Sequence, residues 1–369
     1  MSLTLETENI VVTGGGTGGH TFASVKFLEL FKKWYPNKSL IYIGSGNDFE
    51  KDIFKNIKDV QLKYISTGKF RRALDKRNIS DFFSFFSGIF QSYRFLKKRK
   101  VSYILSTGGY VSLGPVIAAR MLSIPIIVHE QTSIPGIANR LAFRLSDINL
   151  YSFDSGCFSG EKYLFSGNPS DIISNKPVHD LRDDQKKDKP LLFITGGANG
   201  SFILNEFVLK NIDWINHNFE VFLQYGTNPI NIERFENEFK KINKMDFVNK
   251  RFFPRNDMLE IFARIDCMLA RAGAGTISDI IEYNIPSVLI PLKGSAGNEQ
   301  YVNAKMLSEK DAAILLEEKE FSDNKLKQAL MNVYINRERI SENLKDFERF
   351  DEQKVKKIFD GFLEKNGEK

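Results

Sequence analysis

The scarcest features of this 369-residue chain limit its chemistry first. Its two cysteines, Cys157 and Cys267, lie far apart without ligand spacing. Neither a disulfide framework nor a thiolate metal site is therefore expected, and both read as packed thiols in a reducing compartment. No paired carboxylates or histidine cluster show ligand spacing, so no metal is expected either. No uncharged run of about 18 apolar residues occurs, which argues against a spanning helix. Met1 to Glu8 is polar and acidic and lacks the apolar core of an export signal, so a cytoplasmic location is expected. No Lys-Ser or Lys-Thr follows the first glycine-rich turn, which excludes a P-loop. No short tandem repeat or low-complexity tract stands out.

The chain does have apolar mass for two cores, since 32 Phe bring its aromatic content to 12%. A net charge of +6 admits nucleic acid, an anionic membrane or a phosphorylated substrate as partner. Short β-branched runs alternate with amphipathic stretches, the pattern of βα units around a parallel sheet. Strands are predicted at Ile10–Thr13, Leu40–Gly44, Leu62–Ile65, Tyr103–Thr107, Ile126–His129 and Ile148–Ser152. A polar excursion, Asn175–Pro190, interrupts the alternation, which restarts at Leu191–Gly197 and continues through Cys267–Gly273 and Val288–Gly294. The fold class is thus α/β, with two Rossmann-like, doubly wound parallel-sheet domains facing a cleft. Domain ranges of 1–172 and 173–346 follow, with a helix over 347–369.

Ile10–His20 reads IVVTGGGTGGH, a buried strand, five glycines in six positions and a helix start. Such a turn lets backbone approach a ligand, and the helix end offers free N–H groups to an anion. Gly14, Gly16 and Gly19 also fit the dinucleotide pattern G-x-G-x-x-G. That reading needs an acid at the end of the second strand, which closes instead in Gly44-Ser45, with Asp48 beyond it. His20 falls at the helix start, where the dipole favours a neutral imidazole able to accept a proton or to orient a ligand.

Comparable turns recur. Ser106–Pro115 and His129–Gly136 follow strands, so Tyr110, His129, Glu130 and Gln131 are candidates for the same cleft. Thr195–Ser201 and Arg271–Asp279 repeat strand, glycine turn and helix start, an arrangement suited to a diphosphate. Asp279 is placed to take ribose hydroxyls, and Glu299-Gln300 sugar hydroxyls.

In order, GGGTGGHTFA, STGGYVSLGPVIAA, IPIIVHEQTSIPGIANRLA, GNP at Gly167–Pro169, GGANGSFILN, RAGAGTISDII and PLKGSAGNEQYVNA resemble the motifs of the MurG family of GT-B glycosyltransferases, over about Ile10 to Leu316. The resemblance implies transfer of N-acetylglucosamine from UDP-N-acetylglucosamine to undecaprenyl-diphosphate-linked N-acetylmuramoyl-pentapeptide, lipid I to lipid II. It implies an inverting reaction in which the acceptor's 4-hydroxyl attacks the anomeric carbon as UDP departs, with no cofactor. His20 would be the general base, with Glu130 beside it. Thr17, Gly18, Thr132, Asp171, Ala198, Arg255, Ala274, Gly275, Thr276, Asp279, Glu299 and Gln300 would serve the donor. Gly15, Gly16, Gly19, Tyr110, Gln131 and Asn139 would serve the acceptor, and the C-terminal helix would return to the first domain. Departures from the family pattern fall mostly on donor positions. Thr132 stands for Asn, Asp171 for Arg, Ala198-Asn199 for Ser-Gln, Asp279 for Glu and Glu299 for Gln, while Leu113 interrupts GGYVSGP.

Asn78–Lys100 carries Phe82, Phe86, Ile89, Tyr93 and Leu96 on one predicted stripe, with Phe83 and Phe90 beside it. Lys69, Arg71, Arg72, Lys76 and Arg77 precede it, and Lys97, Lys98, Arg99 and Lys100 close it. An aromatic stripe bracketed by cations suits an interfacial helix on anionic lipid, which makes the expected location the cytoplasmic face of a membrane. Nucleic acid is not expected, because the cations cluster and no recognition motif is present. Three alternatives stand beside this reading: another GT-B enzyme acting on UDP-sugars (a glycolipid transferase or an epimerase), an NAD-dependent oxidoreductase, and a non-catalytic membrane adaptor.

Overall fold

The computed structural model describes residues 8–55, 57–68, 77–169, 189–242 and 246–367. The chain divides into two compact units, Met1–Asp171 with Phe350–Lys369, and Ile172–Arg349.

In the first unit seven strands are β1 (Asn9–Gly14), β2 (Ser39–Gly44), β3 (Val60–Tyr64), β4 (Val101–Gly108), β5 (Ile126–Glu130), β6 (Ile148–Tyr151) and β7 (Tyr163–Phe165). They lie in the order β3-β2-β1-β4-β5-β6-β7, every neighbouring pair parallel. The run Ile10-Val11-Val12 is fully buried because β1 is central, flanked by β2 and β4 and covered on both faces. Helices α1 (Gly18–Trp34), α2 (Asp48–Phe54), α3 (Arg77–Leu96), α4 (Leu113–Met121) and α5 (Ile137–Leu145) connect the strands. One core gathers Ile10 and Val12 with Phe27, Phe31 and Tyr103, the other Val11, Ile41 and Ile104 with Leu96 and Val116.

The second unit repeats the plan. Strands β8 (Leu191–Thr195), β9 (Glu220–Gln224), β10 (Phe247–Lys250), β11 (Cys267–Ala270), β12 (Ser287–Leu289) and β13 (Ile314–Leu315) form a parallel sheet in the order β10-β9-β8-β11-β12-β13. Its helices are α6 (Phe202–Lys210), α7 (Ile212–Asn218), α8 (Pro229–Lys241), α9 (Arg255–Phe262), α10 (Ala274–Tyr283), α11 (Glu299–Ser308), α12 (Asp323–Ile335) and α13 (Arg337–Leu344).

Helix α14 (Glu352–Gly367) belongs to the first unit, where Val355, Phe359 and Phe362 fill the core against Phe31 and Tyr103. The changeover falls after Arg349 rather than before residue 347. The Arg349 guanidinium still donates to the Ile281 carbonyl at 3.0 Å and to Asn284 Oδ1 at 2.6 Å, which ties that stretch to the second unit.

Candidate functional site

In each sheet the chain reverses its direction of travel between two neighbouring strands, β1 and β4 in one, β8 and β11 in the other. Open parallel sheets take ligands beyond the carboxyl ends of such strands, where connecting loops part. The glycine turns stand there.

In the first unit the turns after β1 and β4 press against each other. A Cβ on Gly109 would lie 2.0 Å from the Gly15 carbonyl oxygen, and one on Gly16, whose φ is +84°, would lie 2.1 Å from the Tyr110 ring. Only glycine fits at these two positions. His20 is the third residue of α1 and is partly exposed. Its Nδ1 sits 2.9 Å from the Thr107 carbonyl oxygen, an acceptor only, so Nδ1 carries the proton and Nε2 keeps the lone pair. Gln131 Nε2 donates to the same carbonyl at 2.8 Å and thus faces Nδ1 donor to donor. Burial depresses the His20 pKa, partly opposed by the Glu130 charge and the Thr107 carbonyl. The result is a neutral imidazole with its basic nitrogen turned away from the anchoring carbonyl.

Several residues expected near substrate are buried and bonded within the protein. Glu130 is buried, and its carboxylate closes its own loop: Oε1 accepts from the Thr132 amide at 3.0 Å and hydroxyl at 2.9 Å, while Oε2 accepts from Gly136 N at 3.2 Å and Asn139 Nδ2 at 2.8 Å. Three of these donors are N–H groups, and the Thr132 hydroxyl shares its single proton with the Ile134 carbonyl at 2.6 Å, so Glu130 is held by its own loop and bears on His20 through charge. Gln131 and Asn139 are likewise buried behind His20. Asn139 Oδ1 has no hydrogen-bond partner, and a Cβ on Gly108 would stand 2.9 Å from it. His129 Nε2 donates to the Gly167 carbonyl at 3.0 Å, its ring packs edge-on against Phe27, and burial holds its pKa down at about 4. It is a neutral core histidine.

Sequence reasoning missed Glu50. This fully buried residue is the third of α2 and accepts at Oε2 from Ser45 N (2.8 Å) and Gly46 N (2.9 Å), and at Oε1 from Ser45 Oγ (2.8 Å) and Gly16 N (3.2 Å). The signal was present as Asn47-x-x-Glu50, an N-cap and the third residue of its helix, in which Asn47 Oδ1 accepts from Glu50 N at 2.8 Å.

In the second unit Arg271 stitches the turns together. It is buried, donates from Nε to Ser201 Oγ at 2.9 Å and from Nη1 to the Ile290 carbonyl at 3.0 Å, and pairs with Glu318 at 2.6 Å. Gly273 has an ordinary φ of −67°, and a Cβ there, or on exposed Gly275, would meet nothing within 4 Å. Neither packing nor backbone conformation requires glycine at either position. Ala274 and Thr276 flank Gly275 at the start of α10, whose first N–H groups have no intrahelical partner.

Asp279 sits one turn on, held bidentately by Arg255 at 2.8 and 3.1 Å, so these two residues meet each other. Gln300 Oε1 accepts from Leu292 N at 2.9 Å beside Glu299, the first residue of α11. Ala198 is exposed and spends its carbonyl on Thr227. Asp171 lies outside the described residues. Among the described residues no group of three or more His, Cys, Asp or Glu side chains is placed to hold a metal.

On α3, Phe82, Phe83, Phe86 and Phe90 are exposed, joined by Ile79. Ile89 and Tyr93, expected on the same stripe, turn inward. The face that packs is set by small residues: a Cβ on Gly88 would lie 2.1 Å from the Ser66 carbonyl oxygen, and Ser92 is fully buried. Hydropathy ranks neither residue highly, so the stripe read from apolar positions was rotated. Lys97 and Lys98 are exposed, Lys100 pairs with Glu8 at 2.9 Å, and the Arg99 guanidinium lies 3.6 Å from the Phe95 ring centroid. Lys63, Arg94, Lys98 and Arg99 line a groove of about 490 Å³ that shares Phe90 with the exposed stripe. Lys69, Arg71, Arg72, Lys76 and the side chain of Arg77 lie outside the described residues. No described helix is long and apolar enough to cross a membrane.

Comparison with known proteins matches residues 10–147 to the glycosyltransferase family 28 N-terminal domain and 191–359 to its C-terminal domain. The chain is 36% identical over 341 residues to a Bacillus subtilis protein named UDP-N-acetylglucosamine–N-acetylmuramyl-(pentapeptide) pyrophosphoryl-undecaprenol N-acetylglucosamine transferase, covering 90% of this chain and 92% of that one. A Clostridium botulinum protein of the same name is 33% identical over 337 residues, covering 89% and 92%. Among solved structures, Acinetobacter baumannii MurG superposes with a TM-score of 0.73 at 21% identity, over 94% of this chain and 98% of that one. Medicago truncatula UGT71G1 complexed with UDP-glucose gives 0.65 at 13% identity, over 97% and 98%. At these identities the likeness to the solved structures is one of fold.

Proposed function

The chain belongs to the MurG family of glycosyltransferases, and from that premise we infer that it transfers N-acetylglucosamine from UDP-N-acetylglucosamine to N-acetylmuramyl-(pentapeptide) pyrophosphoryl-undecaprenol. His20 carries the reading. An Nδ1 proton anchored on Thr107 leaves Nε2 as a neutral base at a helix start. The acceptor's 4-hydroxyl oxygen attacks the anomeric carbon and its proton passes to Nε2. The bond from that carbon to UDP breaks with its electron pair on the diphosphate, and the configuration inverts. The first N–H groups of α10, at Ala274, Gly275 and Thr276, hold the growing diphosphate charge. Room for it is supported by the two glycines that no neighbour crowds. Asp279, oriented by Arg255, takes the ribose hydroxyls, and Gln300 with Glu299 the sugar. The reaction so drawn uses no cofactor or metal.

The aromatic stripe of α3 with its groove of four cations supports attachment to an anionic membrane surface on the cytoplasmic side, which is where a lipid-linked acceptor is reached. A transfer assay with radiolabelled UDP-N-acetylglucosamine and a lipid I analogue tests the reading. Labelled disaccharide product is the expected outcome, and its absence with active-site-competent protein, one that binds UDP, overturns it.

A further inference from the structure

We propose that Glu50 is a positioning residue for the transfer reaction, setting the first glycine turn through the Gly16 amide; the proposal rests on the function inferred above. The residue is wholly buried, and its carboxylate accepts hydrogen bonds from backbone N–H groups and a serine hydroxyl, with no cation bonded to it among the described residues. Burying a charge is costly unless donors surround it, and a saturated apolar core would serve stability at least as well. What this carboxylate adds is a fixed connection between two turns, those after β2 and after β1.

The geometry around it is built to admit the carboxylate. A Cβ on Gly15 would stand 2.3 Å from Glu50 Oε1, and one on Gly44 would stand 2.7 Å from Oε2. Gly15 therefore gives up a side chain to make room for the acid, and Gly44 does so for the acid together with the Tyr42 ring, 2.5 Å from its Cβ position. The Tyr42 hydroxyl, itself beside Glu50, donates to the Gly14 carbonyl at 2.5 Å, which fixes the residue before the turn. With Gly14, Gly15 and Gly16 so held, Thr17 starts α1 at a fixed height. His20 follows within one turn of that helix, and the Tyr110 ring rests over Gly16.

Turning the Gly16 N–H inward also decides which amides remain for substrate. Gly15 N donates to the Gly108 carbonyl at 3.2 Å and Gly16 N to Glu50, so the turn itself offers no free donor at these two residues. The amides left to a ligand are those at the start of α1, on the side where His20 stands. Glu50 thus sets both the base and the donors next to it, and touches neither substrate.

The test compares Glu50→Gln and Glu50→Asp with wild type in the transfer assay, reading kcat and donor KM separately, with a UDP-induced melting shift as the measure of an intact second unit. Gln keeps the shape but sets an NH2 group against backbone donors; Asp keeps the charge but cannot reach Gly16. Misplacing a catalytic group by about 1 Å can cost about 100-fold. The expected result is kcat at least about tenfold lower in both variants, with donor KM and the UDP shift retained. Wild-type kcat in either variant overturns the proposal. Loss of the UDP shift together with loss of folded protein also overturns it, because Glu50 would then serve the fold alone. If wild type itself makes no product, the failure belongs to the inferred reaction and not to Glu50.

Discussion

The turn after β1 and the turn after β11 share one sequence plan, strand, glycines and helix start, yet their glycines answer opposite demands. At the first, the missing side chains of Gly14, Gly15 and Gly16 make way for the protein itself. A Cβ on Gly14 would lie 1.9 Å from Thr107 Oγ1, with Glu50 and Tyr110 crowding Gly15 and Gly16 in the same manner. At the second, Gly273 and Gly275 face open space. One turn is packed against its neighbours, while the other carries glycines that no neighbour crowds, the two settings the inferred reaction assigns to the base and to the diphosphate. Glycine enrichment is the same signal in both, so only the neighbours distinguish them.

Titration separates the two units, since the first contains a fully buried histidine. His129 has a folded pKa of about 4, below the usual 6.5. Between those values the unfolded chain takes up a proton that the folded state refuses, so stability falls as pH drops from 6.5 toward 4. The loss is about 3 kcal/mol at roughly 1.4 kcal/mol per pKa unit. Urea unfolding across this range should show the slope, and His129→Gln should flatten it.

Next in size is His20→Ala, expected to lower kcat about 100-fold while the UDP melting shift stays. The wild-type kcat/KM should rise with pH through a limb below the ordinary histidine value, because burial lowers the His20 pKa. That limb should vanish in the variant.

A matched pair of glycine substitutions tests the contrast directly. Gly109→Ala drives a methyl group against the Gly15 carbonyl at positive φ and should cost about 1 to 3 kcal/mol in unfolding. Gly275→Ala meets no neighbour and gains helix propensity of up to about 1 kcal/mol, so its melting point should hold or rise while donor KM increases about tenfold. Equal melting losses in both would mean that the two turns are packed alike.

The smallest effect is expected from Phe83→Ser with Phe86→Ser. It should release the protein from anionic vesicles in a flotation assay and leave kcat on a short-chain acceptor within about twofold.

Much of this arrangement could be read in advance. Buried β-branched runs such as Ile10-Val11-Val12 announced central parallel strands, and the repeated glycine turns announced the strand-to-helix junctions at their carboxyl ends. Short edge strands such as β7 and β13 were not legible, because two or three residues carry no periodicity. Among candidate site residues, the place of His20 at a helix start was legible. The enclosure of Glu130 was not, because its carboxylate is bonded by Asn139 and Gly136, which reach it only once α5 has docked. Glu50 escaped notice for a related reason: an acid in a first helical turn usually complements the dipole in solvent, and nothing local marks it as buried. On α3 the small residues, not the large ones, chose the packed face.

The return of α14 to the first unit has a consequence for biosynthesis. Phe359 and Phe362 complete the core that Phe31 and Tyr103 begin, yet the ribosome makes them after the entire second unit. The earlier-made half therefore waits with an open apolar trough while the later-made half closes on its own, and nascent chains stalled before α14 are the form that chaperones must shield.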